Sequence, residues 1–166
     1  MDSKLKVKFS TRKLGELIPS EYNPRKISKD AKARLTKSLN DFGYIDPIII
    51  NTNPERMNTI ISGHQRYYIM KEEDVQEVDV VEVDVDKDKE KLLNIAMNNR
   101  NLMGDWDEEK LTQVMGELFK NNADLSMVGF GELELDKILQ NIEPEFKEFD
   151  ENIEMKNKCP KCGYEW

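Results

Sequence analysis

Two runs of β-branched residues, Ile48-Ile49-Ile50 and Thr59-Ile60-Ile61, constrain this chain more than any other feature. Neither run alternates with polar residues, so each reads as a strand buried on both faces. Asn53-Pro54-Glu55-Arg56 lies between them as a turn and makes them a hairpin-like pair. The second run leads to Gly63, after which Tyr67, Tyr68, Ile69 and Met70 continue as a short helix. Leu5-Lys6-Val7-Lys8-Phe9 alternates apolar and charged residues and predicts a first strand, and Val78 to Val85 predicts another. Leu17-Ile18-Pro19 and Tyr22-Asn23-Pro24-Arg25 read as an irregular segment punctuated by proline. Ser28 can N-cap a helix with an apolar stripe of Ala31, Leu35, Leu39 and Phe42, which Gly43 stops. Asp86 or Asp88 can cap a helix bearing Leu92, Leu93, Ile95, Ala96 and Met97, broken by Gly104-Asp105-Trp106-Asp107. Two more helices carry Leu111, Val114, Met115 and Leu118, then Leu135, Ile138, Leu139 and Ile142. The expected class is mixed α/β with a helical C-terminal part.

Residues 1–104 are expected to form the α/β domain, 105–142 a helical extension, 143–158 an acidic tether, and 159–166 a separate Cys-x-x-Cys element. No apolar run approaches the ~20 residues needed to span a bilayer, so no membrane association is expected. Both cysteines, Cys159 and Cys162, fall in the last eight residues, which does not fit a disulfide scaffold. A reducing, cytoplasmic setting follows as an expectation. The net charge of −8 hides an asymmetry: residues 1–37 carry 11 Lys/Arg against 4 Asp/Glu, and residues 71–166 carry 12 against 26. The basic N-terminal section could meet the phosphates of DNA, whereas the acidic half would repel them.

Three segments carry candidate chemistry. In Ile60-Ile61-Ser62-Gly63-His64-Gln65-Arg66, a buried strand runs into a glycine and a helix, which leaves backbone N–H groups aligned at the positive helix end. Gly63 permits close approach of a ligand, and Arg66 can fork onto a phosphate. The same pattern fits a strand end followed by a solvated arginine. Asn23-Pro24-Arg25-Lys26 offers two cations on a stiffened loop, or an ordinary surface loop. Asn98-Asn99-Arg100-Asn101 offers amides for phosphate or Mg²⁺, or a frayed helix end. His64, the single histidine, is a candidate proton carrier beside a phosphate, or a helix residue that hydrogen-bonds the loop.

From about Leu14 to Leu111, these pieces in this order resemble the ParB/sulfiredoxin-like N-terminal domain. The resemblance runs through Leu17-Ile18-Pro19, Asn23-Pro24-Arg25, Phe42-Gly43, Pro47 to Ile50, Ile61 to Arg66, and Asn98-Asn99. Gly104-Asp105-Trp106-Asp107 makes it look closest to short ParB-like proteins of phages and other mobile elements. It implies the ParB/sulfiredoxin-like fold and a CTP or ATP site, with Mg²⁺ on the triphosphate. Asn23, Arg25, Gly63, His64, Gln65, Arg66, Asn98 and Asn99 would line that site. The family's Gly-Glu-Arg-Arg is Gly63-His64-Gln65-Arg66 here, so its glutamate and first arginine are absent. In its Glu-Asn-x-x-Arg segment, Asn98 replaces the glutamate, Asn99 matches, and Leu102 stands for the arginine. The redox branch is excluded, because His64 occupies the place of its nucleophilic cysteine.

Lys158-Cys159-Pro160-Lys161-Cys162-Gly163 looks like one zinc-ribbon knuckle. Structural zinc takes four ligands, so a second subunit or a partner protein would complete the site. The last helix carries Glu132, Glu134 and Asp136 with only Lys137, a charge unsuited to a DNA recognition helix. Three functions stay open: a nucleotide-binding protein of DNA transactions, an enzyme (an NTPase, phosphotransferase or nuclease), and a nucleotide-free adaptor that dimerises through zinc.

Overall fold

A computed structural model describes residues 5–140 and Lys161. Its strands are β1 (Lys8–Lys13), β2 (Ile18–Pro19), β3 (Ile48–Asn51), β4 (Thr59–Ser62) and β5 (Glu77–Val83). Its helices are α1 (Lys29–Phe42), α2 (His64–Glu72), α3 (Lys87–Met97), α4 (Glu108–Lys120) and α5 (Glu132–Gln140). The strands form one sheet in the order β1-β5-β3-β4-β2. β3 and β4 are the expected antiparallel pair, joined by a 3-10 turn at Pro54–Arg56 that Asn53 caps. α2 then carries the chain past β3 to β5, which lies parallel to β3. β1 closes one edge antiparallel to β5, and β2 closes the other parallel to β4.

Both faces of the central strands are covered, as their unbroken apolar runs require. On one face Ile48, Ile50, Ile60, Val78 and Val80 pack with Leu14, Leu17, Tyr67 and Met70. On the other, Ile61, Val83 and Val85 pack with Leu5, Ile49 and Leu93. Ser28 caps α1, its side chain accepting from the Ala31 amide, and Gly43 ends it at φ 78°. Asp86, rather than Asp88, caps α3. α4 packs on α5, a 3-10 turn at Leu125–Val128 rests on α1, and the Trp106 and Phe130 rings meet at 6.2 Å. No helix among the described residues is long and apolar enough to cross a membrane.

Four expectations need correction. The first strand begins at Lys8 rather than Leu5 and is tied to β5 by polar side chains: Thr11 bonds Asp79, directly opposite, at 2.8 Å, and Arg12, opposite Val78, reaches along β5 so that its Nε bonds Glu82 at 2.9 Å. Ile18-Pro19 is a short edge strand, not irregular chain; the proline is tolerated at an edge. In α1, Leu39 is buried but Phe42 is 52% exposed. In α3 the apolar stripe largely faces outward: Leu92 is 66% and Ile95 57% exposed, while Glu90 and Asn94 are fully buried. Glu90 and Asn94 lie four residues apart and share the inward face, and hydrogen bonding makes their burial tolerable.

Candidate functional site

Glu90 is the anchor of this inward face. Its carboxylate accepts from Asn51 Nδ2 at 2.6 Å, the Tyr22 hydroxyl at 2.8 Å and Arg56 Nη2 at 2.8 Å. Burial alone would push the Glu90 carboxyl up, but the bonds from Arg56, Asn51 and Tyr22 hold it below the usual carboxylate range. Burial and the Glu90 bond raise the Tyr22 phenol well above its ordinary value. Asn51 also brackets Val85, donating to its carbonyl at 2.9 Å and accepting from its amide at 3.2 Å. This network fixes α3 against the sheet and pins Tyr22.

One turn further along α3, Asn94 donates to the Ile61 carbonyl at 2.7 Å. Asn98 donates to the Asn94 carbonyl at 2.7 Å and accepts from Arg25 Nη1 at 2.6 Å. The loop from Ser20 to Arg25 is therefore stretched along α3. Inside it, the Asn23 side chain accepts from the Arg25 amide at 3.4 Å.

Opposite lies the start of α2. Gly63 is its N-cap at φ 98°, and no side chain caps the first turn. A Cβ at Gly63 would lie 3.1 Å from Ile48 Cγ1 and 3.2 Å from Ile48 Cα, so this position demands glycine both by conformation and by space. Arg66 pairs with Asp46 at 2.7 Å and donates to the Pro47 carbonyl at 3.4 Å, while its Nε is buried without a partner. Burial lowers the Arg66 pKa; the Asp46 charge works against that shift and the nearby Arg25 charge adds to it. Arg66 thus stands in the first turn of a helix that no side chain caps, within range of the Arg25 charge. Such an arrangement can take an oxyanion.

Gly63 and Arg66 thus follow the end of β4, while Arg25 is tied to Asn98 at the end of α3. Gln65 is half-buried in the first turn of α2. Asn99 turns its side chain to cap a 3-10 turn, accepting from the Asn101 amide at 3.0 Å. His64 is 5% exposed and faces inward to Ser20, whose Oγ lies 2.7 Å from Nε2. Asp46, Ser20, Tyr22, Asn51, Arg56 and Glu90 complete the surroundings and escaped the sequence reading. The spacing of Glu90, Asn94 and Asn98, each four apart, was the available signal. Cys159 and Cys162 lie outside the described residues. Among the described residues, no group of three or more His, Cys, Asp and Glu stands together to hold a metal.

Comparison with known proteins now bears on this geometry. The ParB N-terminal domain model matches residues 4–115. The chain belongs to the ParB N-terminal domain family. A ParB-like nuclease domain-containing protein of Escherichia coli, YnaK, is 38% identical over 66 residues, covering 40% of this chain and 69% of its own length. A nucleoid occlusion protein of Lysinibacillus sphaericus is 32% identical over 59 residues; the match covers 35% of this chain but only 20% of that protein. The crystal structure of C-terminally truncated Caulobacter crescentus chromosome-partitioning protein ParB, complexed with CTP-γ-S, superposes with TM-score 0.66 at 14% identity, covering 80% of this chain and 77% of the other. At that identity the likeness is one of fold.

Proposed function

We propose that this protein binds a nucleoside triphosphate, CTP or ATP, and acts in DNA transactions or their regulation, in the setting of a phage or other mobile element. The observation that carries the reading is Arg66 in the first turn of the uncapped α2, its Nε buried without an acceptor. Phosphate oxygens match that donor set. Mg²⁺ would enter with the phosphates, since no ready-made carboxylate cage stands here among the described residues. DNA would meet the basic section of residues 1–37, and Cys159 and Cys162 would share zinc with a second subunit or a partner. The CTP-γ-S complex of the Caulobacter protein supports the nucleotide, and the family supports a place in the bacterial or host cytoplasm.

The test is calorimetric titration with CTP, ATP and GTP, with and without Mg²⁺, of the wild-type protein and of Arg25→Ala and Arg66→Ala. One nucleotide should bind and both variants should abolish its binding. Absence of binding at millimolar nucleotide refutes the reading. The name of the E. coli relative favours a second reading, a nuclease. Metal-dependent nicking of plasmid DNA, lost in Arg66→Ala, would establish it.

A further inference from the structure

The loop that carries Arg25 is held at three points. Arg25 is bonded to Asn98, and Tyr22 is bonded to Glu90, both on α3. The third point is different in kind, because it ties the loop to α2. Ser20 donates its backbone N–H to His64 Nε2 at 3.2 Å, and its Oγ lies 2.7 Å from the same nitrogen. A backbone amide can only donate, so Nε2 is the acceptor and the ring proton sits on Nδ1. His64 is the first residue of α2, directly after Gly63, and both it and Ser20 are buried. The imidazole therefore locks the loop to the helix whose N-terminus forms the anion site.

We propose that His64 is a positioning residue for that site: a neutral imidazole fastens the Ser20–Arg25 loop to the first turn of α2, and protonation of Nε2 releases it. This rests on the anion-binding reading above. A proton on Nε2 removes the lone pair that accepts the Ser20 amide. The imidazolium can still donate to Ser20 Oγ, but the buried amide then loses its acceptor. The surrounding charges do not offset this. Glu21 of the loop is exposed, and the phenol of Tyr22 is bonded to Glu90. On α3, Glu90 is held by Arg56 and Lys91 lies 3.7 Å from Asp88. On α2, Arg66 is paired with Asp46, and β4 carries no charged residue. Burial alone displaces the His64 pKa, and it does so downward from 6.5. The released loop has an ordinary histidine, near 6.5. The clamp is thus fully present above that pH and weakens as pH falls below it.

The chain has one histidine, so tag-free protein yields a single set of imidazole signals. The experiment follows those signals and the Ser20 amide by NMR from pH 8 to 5.5. Over the same range it measures the affinity for Mg²⁺-CTP and Mg²⁺-ATP of the wild type, His64→Gln and Ser20→Ala. A glutamine carbonyl can accept the Ser20 bonds and does not titrate. The ligand's own ionisation is common to all three proteins and cancels in their ratios. The Ser20 amide is expected to move with the imidazole titration. Wild-type affinity should fall, relative to His64→Gln, by up to about tenfold per pH unit below the His64 pKa, the limit for one proton. Ser20→Ala keeps both the imidazole and the residue 20 amide that bonds it, so its affinity relative to His64→Gln should fall with pH as that of the wild type does. A flat wild-type to His64→Gln ratio, or a His64 titration that leaves the Ser20 amide unmoved, overturns the proposal while the anion site stands. Should His64→Gln fail to fold, a wild-type Ser20 amide signal that does not follow the imidazole titration overturns it instead. Failure of the wild type to bind either nucleotide at pH 8 refutes the site itself, and the proposal with it.

Discussion

Replacing Arg56 with methionine would remove the only cation bonded to Glu90 among the described residues. The methionine keeps an apolar stem of similar length, so the change isolates charge and hydrogen bonding. Glu90 is fully buried and would retain only Asn51 at 2.6 Å and Tyr22 at 2.8 Å. Breaking one side of a buried pair costs about 3–5 kcal/mol. A ceiling follows from proton uptake. A carboxyl that cannot stay charged takes a proton, and from an unfolded pKa near 4.3 that costs about 3.7 kcal/mol at pH 7. The expected loss is therefore about 3–4 kcal/mol at pH 7. The variant's folded Glu90 pKa would lie above its unfolded value, so its stability is greatest below about 4.3 and declines as pH rises, by up to about 1.4 kcal/mol per unit. At pH 5 the proton costs about 1 kcal/mol, so most of the deficit should vanish. The wild type should respond oppositely, because its Glu90 pKa is depressed and its contribution is lost only as pH falls through that value. Urea unfolding followed by far-ultraviolet circular dichroism from pH 8 to 5 measures both. A deficit that does not change with pH would refute the reasoning and reduce Arg56 to a packing residue.

Three further outcomes are expected. Gly63→Ala should destabilise the fold by about 1–3 kcal/mol, from the left-handed backbone and the approach to Ile48, and a thermal melt reads it. Asp46→Asn should tighten nucleotide binding several-fold, because the Asp46 carboxylate competes with phosphate for Arg66; calorimetry decides, and weaker binding would make Asp46 a ligand contact instead. If Cys159 and Cys162 share zinc between two copies, elemental analysis should find about one zinc per two chains, and a chelator should shift the protein to monomer in size-exclusion chromatography.

The central hairpin and the start of α2 were legible because burial on two faces leaves an unbroken apolar run, and because only glycine accommodates the bend at residue 63. α1 was legible from its caps. What the pattern hid was polar burial. Lys87-Asp88-Lys89-Glu90-Lys91 looks like a solvated charge run, yet Glu90 is fully buried, since its partners Asn51, Arg56 and Tyr22 come from elsewhere in the chain. Hydropathy then points the wrong way and assigns Leu92 and Ile95 to the interior. β1 was displaced for a related reason: polar contacts to β5, Thr11 with Asp79 opposite it and Arg12 with the more distant Glu82, tie it in place, and no apolar alternation records them. At the site, Arg25 and Arg66 could be named from the sequence, but Asp46 could not. Its role depends on the turn from α1 into β3 bringing it beside α2.

That neighbour changes what binding would mean chemically. Arg66 is paired before any ligand arrives, and its side chain is 19% exposed against 70% for Asp46. The acid can swing into water while the arginine stays in place. Anion binding would then be an exchange of carboxylate for phosphate on a fixed guanidinium, with the free Nε as an additional donor that Asp46 leaves unused. A fork offering two parallel N–H groups favours a multidentate oxyanion over a single acid oxygen. With the family's first arginine and its glutamate absent, the selectivity for a phosphate chain would rest on that exchange and on Arg25, the cation the His64–Ser20 clamp holds in position.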